Sequence, residues 1–286
     1  MSAPEQGRAP FSFRAPSAIP GFPLTFAFTG LFLLLIVLFP LGTLIGKASG
    51  LGISGFIDIL SERRVISALG VSFGLSLVSA IVSAVVGVPI AWALTRYDFP
   101  GRRWLDAIVD LPFALPTAVA GIALSTLYAT NGWFGAALAK VGITVAFTRL
   151  GIVVAMVFVG FPFVVRTLQP LIETLEVDLE EASASLGAER LQTLWRVVLP
   201  PLVPAILTGV ALAFARGVGE YGSVIFIAGN LAGKTEIAPL LIVEKLEAFD
   251  YRGATAIATI MLAISFLGLL AINGTQAWTR RRLGDV

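Results

Sequence analysis

Residues 67–95 read SALGVSFGLSLVSAIVSAVVGVPIAWALT and contain no charged side chain. About 20 mainly apolar residues are enough for a helix to cross the hydrocarbon core of a bilayer. Similar apolar stretches flank this one, at 23–46, 107–130, 150–169, 203–228 and 255–277. The sequence therefore predicts an all-α, polytopic membrane protein with about six transmembrane helices.

The composition agrees with a membrane protein. The 286 residues are 57% hydrophobic and 13% charged, and the mean hydropathy is +0.90, whereas soluble domains carry about 25% charged residues. A net charge of +2 with scattered basic residues gives no indication of nucleic-acid binding. The chain has neither Cys nor His, which removes the common nucleophile, general base and metal ligands. We expect no catalytic residue, no metal site and no cofactor bound by this chain.

Six crossings place both termini on the same side. With the termini inside, the inner segments hold eleven Lys and Arg residues and the outer segments hold eight, which follows the positive-inside rule. Both termini are therefore predicted to be cytoplasmic. Residues 1–22, rich in Pro, Ala and Ser, predict a disordered tail, and residues 278–286 predict a basic tail.

The inner segment after the fourth predicted span is patterned. Its apolar residues recur every three or four positions, as on one face of a helix: Leu168, Leu171, Leu175, Leu179, Ala182 and Leu186. Gly187 interrupts this stripe, and a second one runs over 191–198 before Pro200 and Pro201 end it and begin the next span. We predict two short helices at the inner surface, hinged at Gly187. The polar face of the first helix is acidic and suits a protein partner better than anionic lipid.

This loop carries a recognisable motif. Glu181-Ala182-Ser183, three residues, Gly187, nine residues and Val197-Val198-Leu199-Pro200 resemble the EAA motif of binding-protein-dependent ABC importer permeases, E-A-A, three residues, G, nine residues, I-x-L-P. Ser183 and Val197 are conservative departures. The resemblance implies a type I importer fold over 67–277, with loop 171–200 as the coupling helix that contacts an ATPase. It assigns this contact to Glu181, Ala182, Ser183, Gly187, Leu199 and Pro200.

A charged pair lies within the predicted fifth span. Arg216 and Glu220 are four residues apart, and an Arg at mid-membrane costs roughly 2.5–3.5 kcal/mol on insertion scales. Arg before Glu is the weaker order for a helical ion pair, so helix stability alone is a poor reason for it. We predict a role for Arg216, Gly219 and Glu220 in a pathway or its gate.

Further stretches indicate which branch of the permease family the sequence resembles. Residues 214–222, FARGVGEYG, resemble the R-x-x-G-E-[YF]-G signature of sulfate and molybdate permeases, and 110–117, 129–133 and 161–167 resemble sulfate/thiosulfate permeases. Pro112 and Pro116 should bend or unwind the third span, and irregular backbone at this depth is tolerated beside a cavity. Ser125 and Thr126 are candidate hydroxyl donors to a substrate oxyanion.

The resemblance implies a role and a set of partners. The role is the permease subunit of an ATP-driven importer of sulfate or thiosulfate in the bacterial inner membrane. The expected partners are a paralogous permease, a dimer of ATPase subunits that holds ATP and Mg, a periplasmic sulfate-binding protein and the lipid bilayer.

Two other functions remain open. A molybdate or tungstate permease would use the same machinery, and an ion-coupled secondary transporter is a less favoured alternative because the two halves show no internal repeat. Residues 228–235, AGNLAGKT, match a loose P-loop pattern. Their position after a span and in an outer loop argues against nucleotide binding.

Overall fold

The computed structural model describes residues 22–283, with the side chains of 22–272 and Gly274. All the regular structure in this range is helical. The predicted disordered tail lies outside the described residues except for Phe22, which begins the first helix. In the predicted basic tail, residues 278–283 continue the last helix, and 284–286 lie outside the described residues.

The chain divides into two compact units, which meet after Ser49. In the first unit, α1 is a 28-residue helix, Phe22–Ser49, with one π-helical stretch at Leu33–Leu38. At 1.5 Å per residue it measures about 42 Å, more than the roughly 30 Å of hydrocarbon. Most of its large apolar side chains are exposed, as lipid contact requires.

The second unit begins at Gly50 and contains twelve described helices. Four are long: α3 (Arg63–Arg96), α8 (Arg149–Thr174), α10 (Arg190–Val218) and α13 (Tyr251–Leu283). The shorter ones are α2 (Gly52–Ser61), α4 (Arg102–Val109), α5 (Leu111–Ala114), α6 (Thr117–Tyr128), α7 (Trp133–Ala139), α9 (Val177–Ser185), α11 (Val224–Ile227) and α12 (Ala238–Glu247).

The centre of this unit is the packing of α3, α8 and α10. Ser76 of α3 lies beside Met156 of α8, with Oγ and Sδ 3.6 Å apart, and Gly87 faces Val164 further along both helices. The helices α3 and α8 therefore run parallel. In α10, Gly209 faces Val164 and Gly217 faces Ser76, so α10 runs antiparallel to both. Small residues at these contacts let membrane helices approach closely.

Parallel packing of α3 and α8 requires the chain to return across the membrane between them. Residues 102–128 make this crossing as three short helices. The span predicted at 107–130 is therefore interrupted, as expected from Pro112 and Pro116. The breaks fall at Asp110 and at Leu115–Pro116, where Pro112 begins α5 and Pro116 caps α6. Proline removes a backbone donor and clashes with the preceding turn. The unit thus crosses five times, on four long helices and one broken one.

The predicted fifth span is also shorter than expected at its end. Helix α10 stops at Val218, and residues 219–223 form a turn before α11. Arg216 therefore lies in the last turn of α10, and Glu220 lies in the turn that follows. The prediction that both lie near the middle of a span is wrong. The glycines that follow Arg216 explain the stop, because glycine is a poor helix former.

Candidate functional site

The inner loop differs in detail from the predicted helix pair. Its first apolar stripe is divided, because Leu168 and Leu171 belong to α8 and contribute to its packed face. Leu175 and Glu176 are extended, with ψ of 120° and 126°, and α9 begins only at Val177. The predicted single helix over 168–186 is therefore wrong. No Gly or Pro marks the break in the sequence.

The hinge at Gly187 is present. Its φ is +81°, a left-handed conformation that glycine adopts without steric penalty. Two residues later Glu189 and Gln192 form a capping box that begins α10, which satisfies amides at the helix start. The loop is closed across its middle by Ser183 Oγ and Thr193 Oγ1, 2.7 Å apart. These contacts fix α9 against the first turns of α10.

The prediction that Pro200 and Pro201 end a helix is wrong. Helix α10 runs from Arg190 to Val218, and Leu199, Pro200 and Pro201 lie inside it. The π-helical stretch Leu194–Val198 precedes them. A π turn shifts the backbone hydrogen bonds by one residue, and this local adjustment accommodates residues that lack an amide proton. The second half of the loop is therefore continuous with a long membrane helix.

The inner loop has large apolar side chains that the other described residues leave exposed. Glu181 and Ala182 are exposed, and so are several large apolar side chains: Val177, Leu179, Leu186, Leu191 and Trp195. Leu186, beside the hinge, is 89% exposed. Several exposed large apolar side chains on one short loop are typical of a protein interface.

The second part of the candidate site surrounds Glu220. This carboxylate is only 1% exposed, and its Oε2 lies 2.5 Å from Nη1 of Arg216. Its Oε1 accepts hydrogen bonds from the amide and the hydroxyl of Ser223, at 2.8 and 2.9 Å. Both carboxylate oxygens are therefore engaged, as a buried charge requires. Glu220 fixes the turn after α10, and it leaves Arg216 one-third exposed.

Glycines bring the broken crossing into contact with this turn. A β-carbon at Gly121 would lie 2.4 Å from the carbonyl oxygen of Ser223, and one at Gly222 would lie 2.1 Å from Oγ1 of Thr117. The approach is possible only without side chains at these positions. Pro112 is buried, and Pro116 caps the helix that makes the contact. The structure thus places the two prolines on the segment that supports the Glu220 turn.

Ser125 and Thr126 lie further along α6. Both hydroxyls donate to the carbonyl of Ile122, each at 2.9 Å, so their protons are engaged within the helix. Among the described residues, no hydrogen bond joins them to Arg216 or Glu220. Their role as donors to a substrate stays a prediction.

The P-loop-like stretch has a geometry of its own. The amides of Lys234, Thr235 and Glu236 all donate to the carbonyl of Leu231, at 3.0, 3.0 and 3.1 Å. In a P-loop these amides would instead point at phosphate oxygens. The segment precedes α12 and closes on itself.

Sequence reasoning missed three charged clusters. Arg166 lies between Asp106 and Asp110 and ties α8 to the start of the broken crossing. Arg64 pairs with Glu236 and Glu244, and Arg96 contacts the inner loop. Each joins residues more than 50 positions apart, so no short-range spacing indicates them. Their common signal is an Arg near the end of a predicted span.

The chain is similar to transport proteins of known families. Residues 83–285 match the family described as binding-protein-dependent transport system inner membrane component. A sulfate transport system permease protein CysT of Synechocystis is 48% identical over 285 residues, covering 100% of this chain and 98% of that protein. The CysT protein of Salmonella typhimurium is 49% identical, covering 93% and 96%.

Solved structures share the fold at low identity. A bacterial ABC transporter involved in the import of alginate superposes with a TM-score of 0.74 at 17% identity, covering 92% of this chain and 96% of that one. The MetNI methionine ABC transporter gives a TM-score of 0.57 at 16% identity, covering 75% and 95%. Identity at this level supports the fold alone.

Proposed function

The chain belongs to the family of binding-protein-dependent transport system inner membrane components, and we propose that it is the membrane-spanning permease of an ATP-driven importer for sulfate or thiosulfate. Sulfate as the cargo is supported by relatives about half identical over almost the whole chain, which are named as sulfate permeases. The EAA-like motif at 181–200 and the signature FARGVGEYG at 214–222 support the same assignment.

The exposed loop that contains α9 carries the proposal of an ATP-driven mechanism. It exposes large apolar side chains and acidic ones. A hydroxyl pair joins α9 to α10, and a capping box begins α10. The exposed side chains suit the ATPase, a separate polypeptide that binds ATP and Mg. Motion of the ATPase dimer reaches the membrane through α10, because the loop and that helix are continuous.

The pathway runs beside the end of α10 in this proposal. The partly exposed guanidinium of Arg216 offers its remaining hydrogen-bond donors to a tetrahedral dianion, while Glu220 and the Gly219 turn hold it in place. A second permease, most simply a paralogue, completes the pathway, and a periplasmic binding protein delivers the anion. Both termini are cytoplasmic in this arrangement.

Labelled sulfate uptake tests the proposal. The chain is expressed with its candidate partners in cells that lack their own sulfate permeases, with excess thiosulfate or molybdate as competitors. Gly187→Pro should abolish uptake, because Pro cannot adopt the φ of +81° at the hinge. Gly142→Pro is the matched control, since Gly142 has φ of +77° in an outer loop. Uptake should persist there.

The competitors decide the cargo. Strong inhibition by thiosulfate supports a sulfate/thiosulfate importer. Absence of sulfate uptake with all subunits assembled in the membrane would contradict the assignment and make molybdate the next candidate.

A further inference from the structure

Arg96 connects the inner loop to a long membrane helix. It is the last residue of α3, and its Nη2 donates to the carbonyl of Leu175 at 2.9 Å. The same nitrogen lies 3.2 Å from Oε1 of Glu180, in the first half of α9. One guanidinium therefore holds both the backbone at the α8–α9 break and a side chain of α9.

The other side of this guanidinium is fixed to α3. The Cζ of Arg96 lies 5.3 Å from the ring centroid of Trp92, one turn earlier in the same helix, a distance at which a cation is attracted to an aromatic face. The Arg96 side chain is only 16% exposed. A side chain held on both sides transmits displacement better than a solvated ion pair does.

The arrangement is not the one that helix stability alone would favour. The Nε of Arg96 is buried and meets no acceptor among the described residues, and a buried donor without a partner is unfavourable. The guanidinium leaves this donor unused and directs Nη2 at two acceptors of the inner loop. The Leu175 carbonyl in turn lies where the backbone leaves the helix, so it has no intrahelical partner.

Few other polar contacts leave α9. Ser183 bonds to Thr193 within the same loop, and Ser185 bonds back to Glu181. Among residues 22–272, the Arg96–Glu180 pair is the one ion pair that joins α9 to a long helix. The helix α3 packs against α8 and α10 along much of its length, so a displacement at Arg96 reaches the centre of the second unit.

We propose that Arg96 is a positioning residue that transmits movement of α9 to α3, in addition to the direct route through α10. This role rests on the proposed function, since it requires an ATPase that moves α9. The loop then acts on two antiparallel helices together, α10 by backbone continuity and α3 by the guanidinium. Loss of Arg96 should leave ATP hydrolysis possible and make it less productive.

The test uses the complete transporter in proteoliposomes: this chain with its partner permease, its ATPase subunits and the sulfate-binding protein. The measured quantity is ATP hydrolysed per sulfate transported. Arg96→Gln and Glu180→Gln should each raise this ratio by about 2- to 30-fold, the range of single coupling contacts. Arg96→Lys should fall between these and the unsubstituted protein, because an ammonium lacks the planar fork.

Controls separate coupling from folding. Arg102→Gln removes another inner-side ion pair, Arg102–Asp98, which does not touch α9, and it should leave the ratio unchanged. The double variant Arg96→Gln/Glu180→Gln should be no worse than Arg96→Gln alone, because both changes break one contact. The amount of assembled complex is measured for every variant.

The outcomes are distinct. If the unsubstituted complex moves no sulfate, the proposed function is wrong and this role falls with it. If that complex transports and the Arg96 and Glu180 variants keep its ratio, or lose transport and hydrolysis together in proportion to assembly, the role of Arg96 alone is overturned.

Discussion

At the scale of the residue, glycines and buried charges decide where segments meet. Gly121 and Gly222 let α6 touch the turn that holds Glu220, and Gly187 allows the hinge of the inner loop. None of these positions carries chemistry. Each matters because a β-carbon would collide with a neighbour or strain the backbone.

Gly121→Ala should destabilise the protein by about 1–3 kcal/mol, the usual cost of overpacking. The added methyl would meet the backbone of Ser223, which cannot turn aside as a side chain can. Thermal unfolding in detergent measures the change. Gly74→Ala, where a β-carbon meets nothing within 4 Å, is the control. Equal melting temperatures for the two variants would contradict the contact.

Asp250 makes stability depend on pH. The amide of Gly253 and then the ammonium of Lys245 lower the pKa of this carboxyl below its ordinary value of 3.8. The folded state therefore favours the charged form, and this stabilisation is present above pH 3.8 and is lost as the pH falls through the lower pKa of the folded protein.

At pH 7 the Asp250→Asn variant should therefore have a lower melting temperature than the unsubstituted protein. This difference in melting temperature should shrink as the pH falls below 4. Asp98→Asn is the control, because that carboxylate is almost fully exposed. A difference that stays constant down to pH 3 would show that the ionised carboxylate is not the cause.

At the scale of the element, ion pairs fasten short helices to long ones. Glu236 is 1% exposed just before α12, and Arg64 at the start of α3 holds it with Nε and Nη2, at 2.9 and 2.5 Å. Arg64 also pairs with Glu244 within α12. One arginine thus anchors both ends of the segment 236–244 to α3.

Arg64→Gln should lower the free energy of unfolding by about 2 kcal/mol. Removing one partner of a fully buried ion pair lowers it by about 3–5 kcal/mol, and the loss is smaller here because the Arg64 side chain is nearly half exposed. The loss arises mainly because the buried carboxylate of Glu236 is left without its cation. Glu236→Gln should cost less, since no buried charge remains. Arg63→Gln, at the exposed neighbouring position, is the matched control. Equal losses at positions 63 and 64 would contradict the anchor.

At the scale of the whole molecule, the order of parallel and antiparallel helices gives the number of crossings. Helices α3 and α8 run parallel and α10 runs against them, so the chain must recross between Arg96 and Arg149. With α1 as a further span, the count is six. An even number returns the chain to the side on which it began.

The orientation is testable because the sequence contains no cysteine. Ser61→Cys, between the first two predicted spans and therefore on the expected outer side, should react with a membrane-impermeant maleimide in intact spheroplasts. Ser185→Cys, on the inner loop, should react only in inverted vesicles. Both side chains are exposed, so access depends on the side of the membrane. The reverse pattern would contradict cytoplasmic termini.

Much of the site was predictable because its information is local. The EAA-like spacing located the inner loop, and the observed φ of Gly187 confirms the hinge. The pairing of Arg216 with Glu220 followed from their separation of four residues and is present. Ser125 and Thr126 gave no such check, because hydroxyl residues on one helix carry no information about what faces them.

The sequence by itself determined the apolar helices, their approximate order and the importer family, because lipid imposes a length and a composition on each span. Only the tertiary structure decided the break at Leu175 and which distant charges meet. The break at Leu175 has no local signal, since its free carbonyl is satisfied by Arg96, 79 residues away. Likewise the turn that follows Glu220 packs against Gly121 and Thr117, which belong to a distant segment of the chain. Such contacts between remote positions leave no periodic trace along the chain.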